Sequence, residues 1–169
     1  MTNKKRRRKL TKTAKALIGL LIKFAVIGVT AFILLTYVGG VYVCHSNDMS
    51  PSIKDGDLAI TYKLAGYYNG DPLVYEHEGK AYFGRVIGVD GDTIDFTESG
   101  FTVNGNYPYE NVYYPTEARE SDIKYPITLK EGELFVLSDY RTEGMDSRVF
   151  GVITNPKGTV VLLLRRRGI

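Results

Sequence analysis

Residues 81–105 read AYFGRVIGVDGDTIDFTESGFTVNG, and this stretch decides the fold. Three runs rich in β-branched and aromatic residues, 81–89, 93–96 and 101–103, are separated by Gly and Asp, the pattern of short strands joined by turns. Asn104 and Gly105 follow Phe101, Thr102 and Val103 directly and suit a tight hairpin turn, because both residues take positive φ at low cost. Working outward, similar runs lie at 58–62, 73–75, 134–137 and 159–164. A mainly β domain is therefore expected over residues 44–169. Residues 107–126 break the pattern, being rich in Tyr, Pro, Glu and Asn without a period, and read as a long loop or lid. Tyr107, Tyr109, Tyr113 and Tyr114 cluster there. Such rings suit a contact surface, although ordinary packing of a loop on a sheet explains them as well.

The chain of 169 residues has room for one domain and an anchor. Its charge is unevenly spread. Residues 1–43 carry nine Lys or Arg and no acid, whereas 44–169 carry thirteen against nineteen Asp or Glu, so the two parts hold +9 and −6. The basic run Lys4, Lys5, Arg6, Arg7, Arg8, Lys9 stands before an apolar stretch, which argues for a membrane flank rather than for nucleic acid. Residues 24–43 hold no charge, and a helix of that length crosses a bilayer core of about 30 Å. We therefore expect residues 1–23 to be a basic cytoplasmic N-terminus and the start of the helix, 24–43 a single transmembrane anchor, and 44–169 an extracellular domain on the plasma membrane. A cleavable signal peptide is the competing reading, but the apolar run is long for one and Tyr42, Val43 and Cys44 make a poor cleavage site. Cys44 is the lone cysteine, so no intramolecular disulfide is available. Arg165, Arg166 and Arg167 follow the apolar residues 160–164 and read as a solvated basic tail behind a final strand.

Three segments carry more than fold: SNDMSPSIKDGD at 46–57, GRVIGVDGD at 84–92 and SDYRTEGMDSRVFG at 138–151. In this order, behind an N-terminal anchor, they resemble the sequence boxes of the type I signal peptidases (S26). The resemblance implies a mainly antiparallel β fold. It also implies that the family's nucleophilic Ser falls on Asp48, its general-base Lys on Gly84, and the Ser that orients this lysine on Gly144. Around these positions the pattern is kept: Met49, Pro51, Ile53, Gly56 and Asp57 in the first box, Arg85, Val86, Ile87, Gly88, Gly91 and Asp92 in the second, and Asp139, Asp146, Ser147 and Arg148 in the third. Ser46 matches the family's oxyanion-hole serine. Asp146 and Arg148 are expected to pair beside the site. Lys80, the nearest lysine, lies four positions from Gly84.

Loss of a nucleophile or its base typically costs several orders of magnitude in rate, so no catalytic residue is expected to be active. The combination of Asp and Gly at the dyad positions resembles the SipA-like proteins encoded with Gram-positive pili. That resemblance implies a chaperone or scaffold in pilus assembly, with pilin subunits or sortase as partners. The alternative is an atypical membrane-bound signal or processing peptidase. A third reading is a membrane organiser that works through its anchor. No cofactor is expected. No metal site is expected either, because His45 and His77 stand in no ligand spacing.

Overall fold

The computed structural model describes residues 11–97, 100–108 and 116–165. The chain divides into two compact units, Met1–Tyr37 and Val38–Ile169. In the first, helix α1 (Lys12–Ile33) is capped by Thr11, whose hydroxyl accepts from the Ala14 N–H at 3.3 Å. A π-helical stretch, Leu34–Val38, continues it. The helical run Lys12–Val38 has 27 residues, about 40 Å at the usual rise, and none of its most apolar window is buried. It is long and apolar enough to cross a membrane.

The helix starts within residues 1–23, as expected, at Lys12, but it ends before residue 43, because Gly39–Val43 is strand β1. Two glycines explain the change, because they weaken the helix and admit a close strand. A Cβ at Gly39 would stand 2.7 Å from the Thr61 carbonyl oxygen, and one at Gly40 would stand 2.5 Å from the Tyr42 ring.

After β1 the second unit continues through β2 (Leu58–Tyr62), β3 (Pro72–His77), β4 (Lys80–Gly88), β5 (Thr93–Thr97), β6 (Gly100–Val103), β7 (Ile127–Thr128), β8 (Phe135–Leu137), the single turn α2 (Ser147–Phe150) and β9 (Pro156–Leu164). One sheet runs β1-β2-β9-β3-β4-β8 and a smaller one β6-β5-β7. All their pairings are antiparallel. The mainly β class expected for this region is the observed one. Strands β3 and β4 are joined by Glu78 and Gly79, both at positive φ, as a tight two-residue hairpin requires. Asn104 and Gly105 do turn with positive φ, yet the chain beyond them makes one bridge, between Val103 and Asn106, instead of a second strand. Asn104 is held by other bonds, its side chain accepting from Thr93 N–H at 2.9 Å and donating to Asp92 at 2.8 Å.

Alternation along the strands fills three cores. Cys44, Met49, Ile53, Ala59, Val74 and Phe83 form the first, Leu73, Tyr75, Val86, Leu134, Val136 and Ile153 the second, and Ile87, Ile94, Phe101, Leu129, Phe135 and Leu137 the third. Of the tyrosine-rich loop, Tyr109, Tyr113 and Tyr114 lie outside the described residues, and Tyr107 is exposed. Replacing Gly39 by Val should push β1 from β2 and destabilise the β unit by roughly 1–3 kcal/mol, the usual cost of overpacking. Thermal melting of the full chain in detergent reads this, and a control at Gly66, whose φ is not positive and where the added Cβ would meet nothing nearer than 3.5 Å, isolates the crowding.

Candidate functional site

The first box forms a loop closed at its base. Cys44 N–H donates to the Asp57 carbonyl at 2.8 Å, Gly56 N–H donates to the Cys44 carbonyl at 2.9 Å, and the Asp57 carboxylate accepts from Lys54 N–H at 3.0 Å. Met49 is fully buried in the first core, where its sulfur accepts from Asp139 N–H at 3.4 Å. Pro51 follows a cis peptide bond. Asp48 is half-buried, and its carbonyl accepts from Tyr140 N–H at 2.8 Å, which lays this loop against residues 138–148. Ser46 is half-buried, its carbonyl accepting from the Cys44 thiol at 3.2 Å. Burial pushes that thiol's pKa up, so it resists becoming a thiolate.

Gly84 sits on β4 opposite Leu73, and Tyr82 opposite Tyr75, which makes Tyr75 the diagonal neighbour of Gly84. A Cβ built at Gly84 would lie 2.3 Å from Val136 Cγ1 and 3.3 Å from Tyr75 Cε1. The space a side chain would take there is filled by core atoms. Tyr75 is fully buried, and its hydroxyl donates to the Met145 carbonyl at 3.1 Å. Burial drives its pKa far upward, and the charges of Asp146 and Asp48 push the same way. Gly144 is equally constrained: a Cβ would stand 2.1 Å from Ser138 Cβ and 2.2 Å from its Oγ. The Ser138 hydroxyl is buried and has no hydrogen-bond partner among the described residues. Tyr75 therefore links the three positions, packing against Gly84, feeling the charge of Asp48 and bonding the residue after Gly144. Lys80 is elsewhere, at the hairpin end of β4 with its ammonium 5.0 Å from the Tyr82 ring centre.

Two ion pairs brace the surroundings. Asp146 and Arg148 are almost completely buried and pair through two of the three guanidinium nitrogens, Nε at 2.9 Å and Nη2 at 2.8 Å. Asp146 also accepts from the Ser138 and Arg148 N–H groups. Both its oxygens are thus occupied, which makes Asp146 a poor partner for sharing a proton with Asp48. Ser147 donates nothing to this pair; its hydroxyl accepts from Val136 N–H at 2.9 Å. Arg85 grips Asp139 through Nε, at 2.7 Å, and Nη2, and reaches the Gly70 carbonyl and Ser52. Within the third box, Arg141 is buried and donates to the Ser138 carbonyl at 2.6 Å and to Thr116, while Arg148 reaches the Glu117 carbonyl and Arg119 the Thr142 carbonyl. Residues 116–119 are thereby fastened to the third box.

The family model "Signal peptidase, peptidase S26" matches residues 17–161. The chain belongs to this signal peptidase family. It is 30% identical to signal peptidase IB of Staphylococcus aureus over 161 residues, covering 82% of this chain and 83% of that one. It is 29% identical to signal peptidase I of Bacillus licheniformis over 136 residues, with 71% and 72% covered. Among solved structures, a signal peptidase I from Enterococcus faecalis matches with a TM-score of 0.48 and 22% identity, covering 59% of this chain and all of that one.

Within this signal peptidase fold the structure brings Asp48, Met49, Asp139, Asp146 and Arg148 into one neighbourhood with Gly84 and Gly144. The motif reading missed Tyr75 and Arg141. Strand alternation marks Tyr75 as a core residue, and only the β3–β4 register shows what it covers. Arg141 carries no such signal, since an arginine in a loop normally reads as solvated. Neither histidine joins the site's bonds: His77 stacks on Phe150 with ring centres 4.1 Å apart, and His45 is exposed. Among the described residues no group of three His, Cys, Asp or Glu side chains is placed to hold a metal ion.

Titration offers a check on this interior. Tyr125, packed beside the third core, has its pKa pushed from 10.0 to about 12, first by burial and then by Asp146, with Arg148 opposing. Tyr75 shifts the same way. Each stays neutral in the fold where the unfolded chain has begun to ionise, so stability is complete below the unfolded value and falls as pH climbs through the folded one. The melting temperature should therefore fall between about pH 10 and about pH 12, and fall less in Tyr125→Phe. An equal fall in both proteins would assign the loss to other groups.

Proposed function

We propose that this chain binds without cutting: a membrane-anchored relative of signal peptidases that acts as a chaperone or scaffold in pilus assembly, holding pilin subunits or sortase at the outer face of the plasma membrane. One observation carries the non-catalytic part. The position that the family resemblance assigns to the general-base lysine is a glycine whose side-chain space is occupied by Val136 and Tyr75. Asp48 at the nucleophile position and Gly144 at the orienting position support the same reading. The length and apolar character of the run Lys12–Val38 support its reading as the anchor, and the basic residues before it favour a cytoplasmic N-terminus. A cleft that has lost its chemistry keeps the capacity to take an extended segment as an added strand, through main-chain hydrogen bonds. The choice of pilin or sortase as client rests on the likeness to SipA-like proteins.

The test incubates the full-length protein in detergent with a signal-peptide-bearing precursor, a pilin and a sortase, and reads both cleavage and capture. We expect no cleavage above background over hours and specific capture of pilin or sortase. Charge reversal by Asp48→Lys should weaken capture by about tenfold if the cleft is the binding surface. Turnover that disappears with Asp48→Ala would refute the proposal and establish an atypical processing peptidase.

A further inference from the structure

Strand β9 outruns β3. Its last partner on β3 is Leu73, opposite Thr159, whereas β2 stays paired with it as far as Leu164. The reason lies at Pro72, which has no N–H to give to a ladder. The residues before it turn onto β4 instead: Gly70, at positive φ, donates its N–H to the Val86 carbonyl at 2.8 Å, and Val86 N–H donates to the Asp71 carbonyl at 2.9 Å. Residues 160–164, about 17 Å of strand, are thus paired on one side alone among the described residues. Every second residue of a strand aims its N–H and carbonyl at the same side, so this edge carries main-chain donors and acceptors with no strand opposite.

A slot of about 210 Å³ follows this edge. Residues 160–163 line it in succession, although alternate side chains of a strand face opposite ways, so the main-chain edge itself forms the wall. Ser52, Ile53 and Pro72 face it. Arg85 ties that side together, with Nη1 on the Gly70 carbonyl at 2.7 Å and Nη2 on the Ser52 hydroxyl at 3.3 Å. None of Asp48, Gly84 and Gly144 lines the slot. Arg85 is the one charged residue of the lining, and Asp139 neutralises it. These features name the occupant. Open main-chain groups on a sheet edge call for another extended chain, and a lining whose one charge is already paired calls for an uncharged one. The volume admits one large apolar side chain, since a cavity of roughly 150 Å³ holds a benzene-sized group. We propose that this slot takes an extended, uncharged segment of the client as a strand added to β9, with an apolar side chain seated against Ile53 and Pro72. The proposal rests on the reading of the chain as a binder and says which part of a client it holds.

The experiment uses the full chain in detergent with pilin, with sortase, and with a capped peptide of about six residues alternating Thr and Leu. Amide hydrogen exchange reads residues 160–164, and a bound strand should slow it there at least about tenfold. Val161→Asp, at a position 60% exposed, and Ser52→Trp, which fills the slot, should each weaken capture at least about tenfold while the melting temperature holds. Val161→Asp alone decides if Ser52→Trp does not fold. Asn106→Asp, an added acid in an exposed turn, should leave capture unchanged. Capture of pilin or sortase that leaves 160–164 unprotected and is equal in Val161→Asp overturns the slot and keeps the binder reading. Protection by the peptide, with neither pilin nor sortase captured, keeps the slot and rejects the client reading. Exchange unchanged by all three probes overturns the proposal. So does protection that grows with the concentration of the chain alone, which would mean that a second copy pairs with β9.

Discussion

The packing of Tyr75 and Val136 over Gly84 is the constraint on which the site depends. Overlap of buried atoms is not relieved by solvent, and interiors packed at crystal-like density absorb an added methyl group only by moving neighbours. Val136 belongs to β8, which pairs with β4, and Tyr75 belongs to β3 on the other side. Both strands that flank β4 therefore close on the same glycine. The Tyr75 hydroxyl, bonded to the Met145 carbonyl, carries that closure into the third box. An aromatic ring over a strand glycine supplies the packing that the missing side chain would have given.

Buried charge organises the rest. Asp146 caps the turn α2, binds Arg148 with both oxygens and accepts the Ser138 N–H, so one carboxylate fixes helix, loop and strand end together. Breaking such a pair from one side leaves a charge stranded in the interior, which costs about 3–5 kcal/mol. Arg85 and Asp139 repeat the device nearer the surface, where solvent weakens it. These pairs hold the shape of the loops around Asp48, Gly84 and Gly144, which is what the proposed binding without cleavage requires.

The fold class and the three motif segments were legible because short β-rich runs and box spacing are local properties of the sequence. The anchor was legible as an apolar run, but its end was not. Residues 39–43 are as uncharged as residues 24–38 before them, and only the Gly39–Gly40 pair and the β-branched residues after it mark the change to strand. Tyr75 escaped notice for a different reason. Its role is set by pairing between β3, β4 and β8, which no spacing rule reveals. Arg141 and the clamp on residues 116–119 likewise depend on contacts between segments more than twenty residues apart.

The claim that the lysine's place is filled is tested most directly by the melting temperature of Gly84→Ala in two backgrounds, the native chain and Val136→Ala. Filled space predicts that the added methyl destabilises the native chain by roughly 1–3 kcal/mol, and that most of this loss disappears once Val136 has been shortened. An unchanged melting temperature for Gly84→Ala in the native chain would contradict the account, because position 84 would then have room for a side chain.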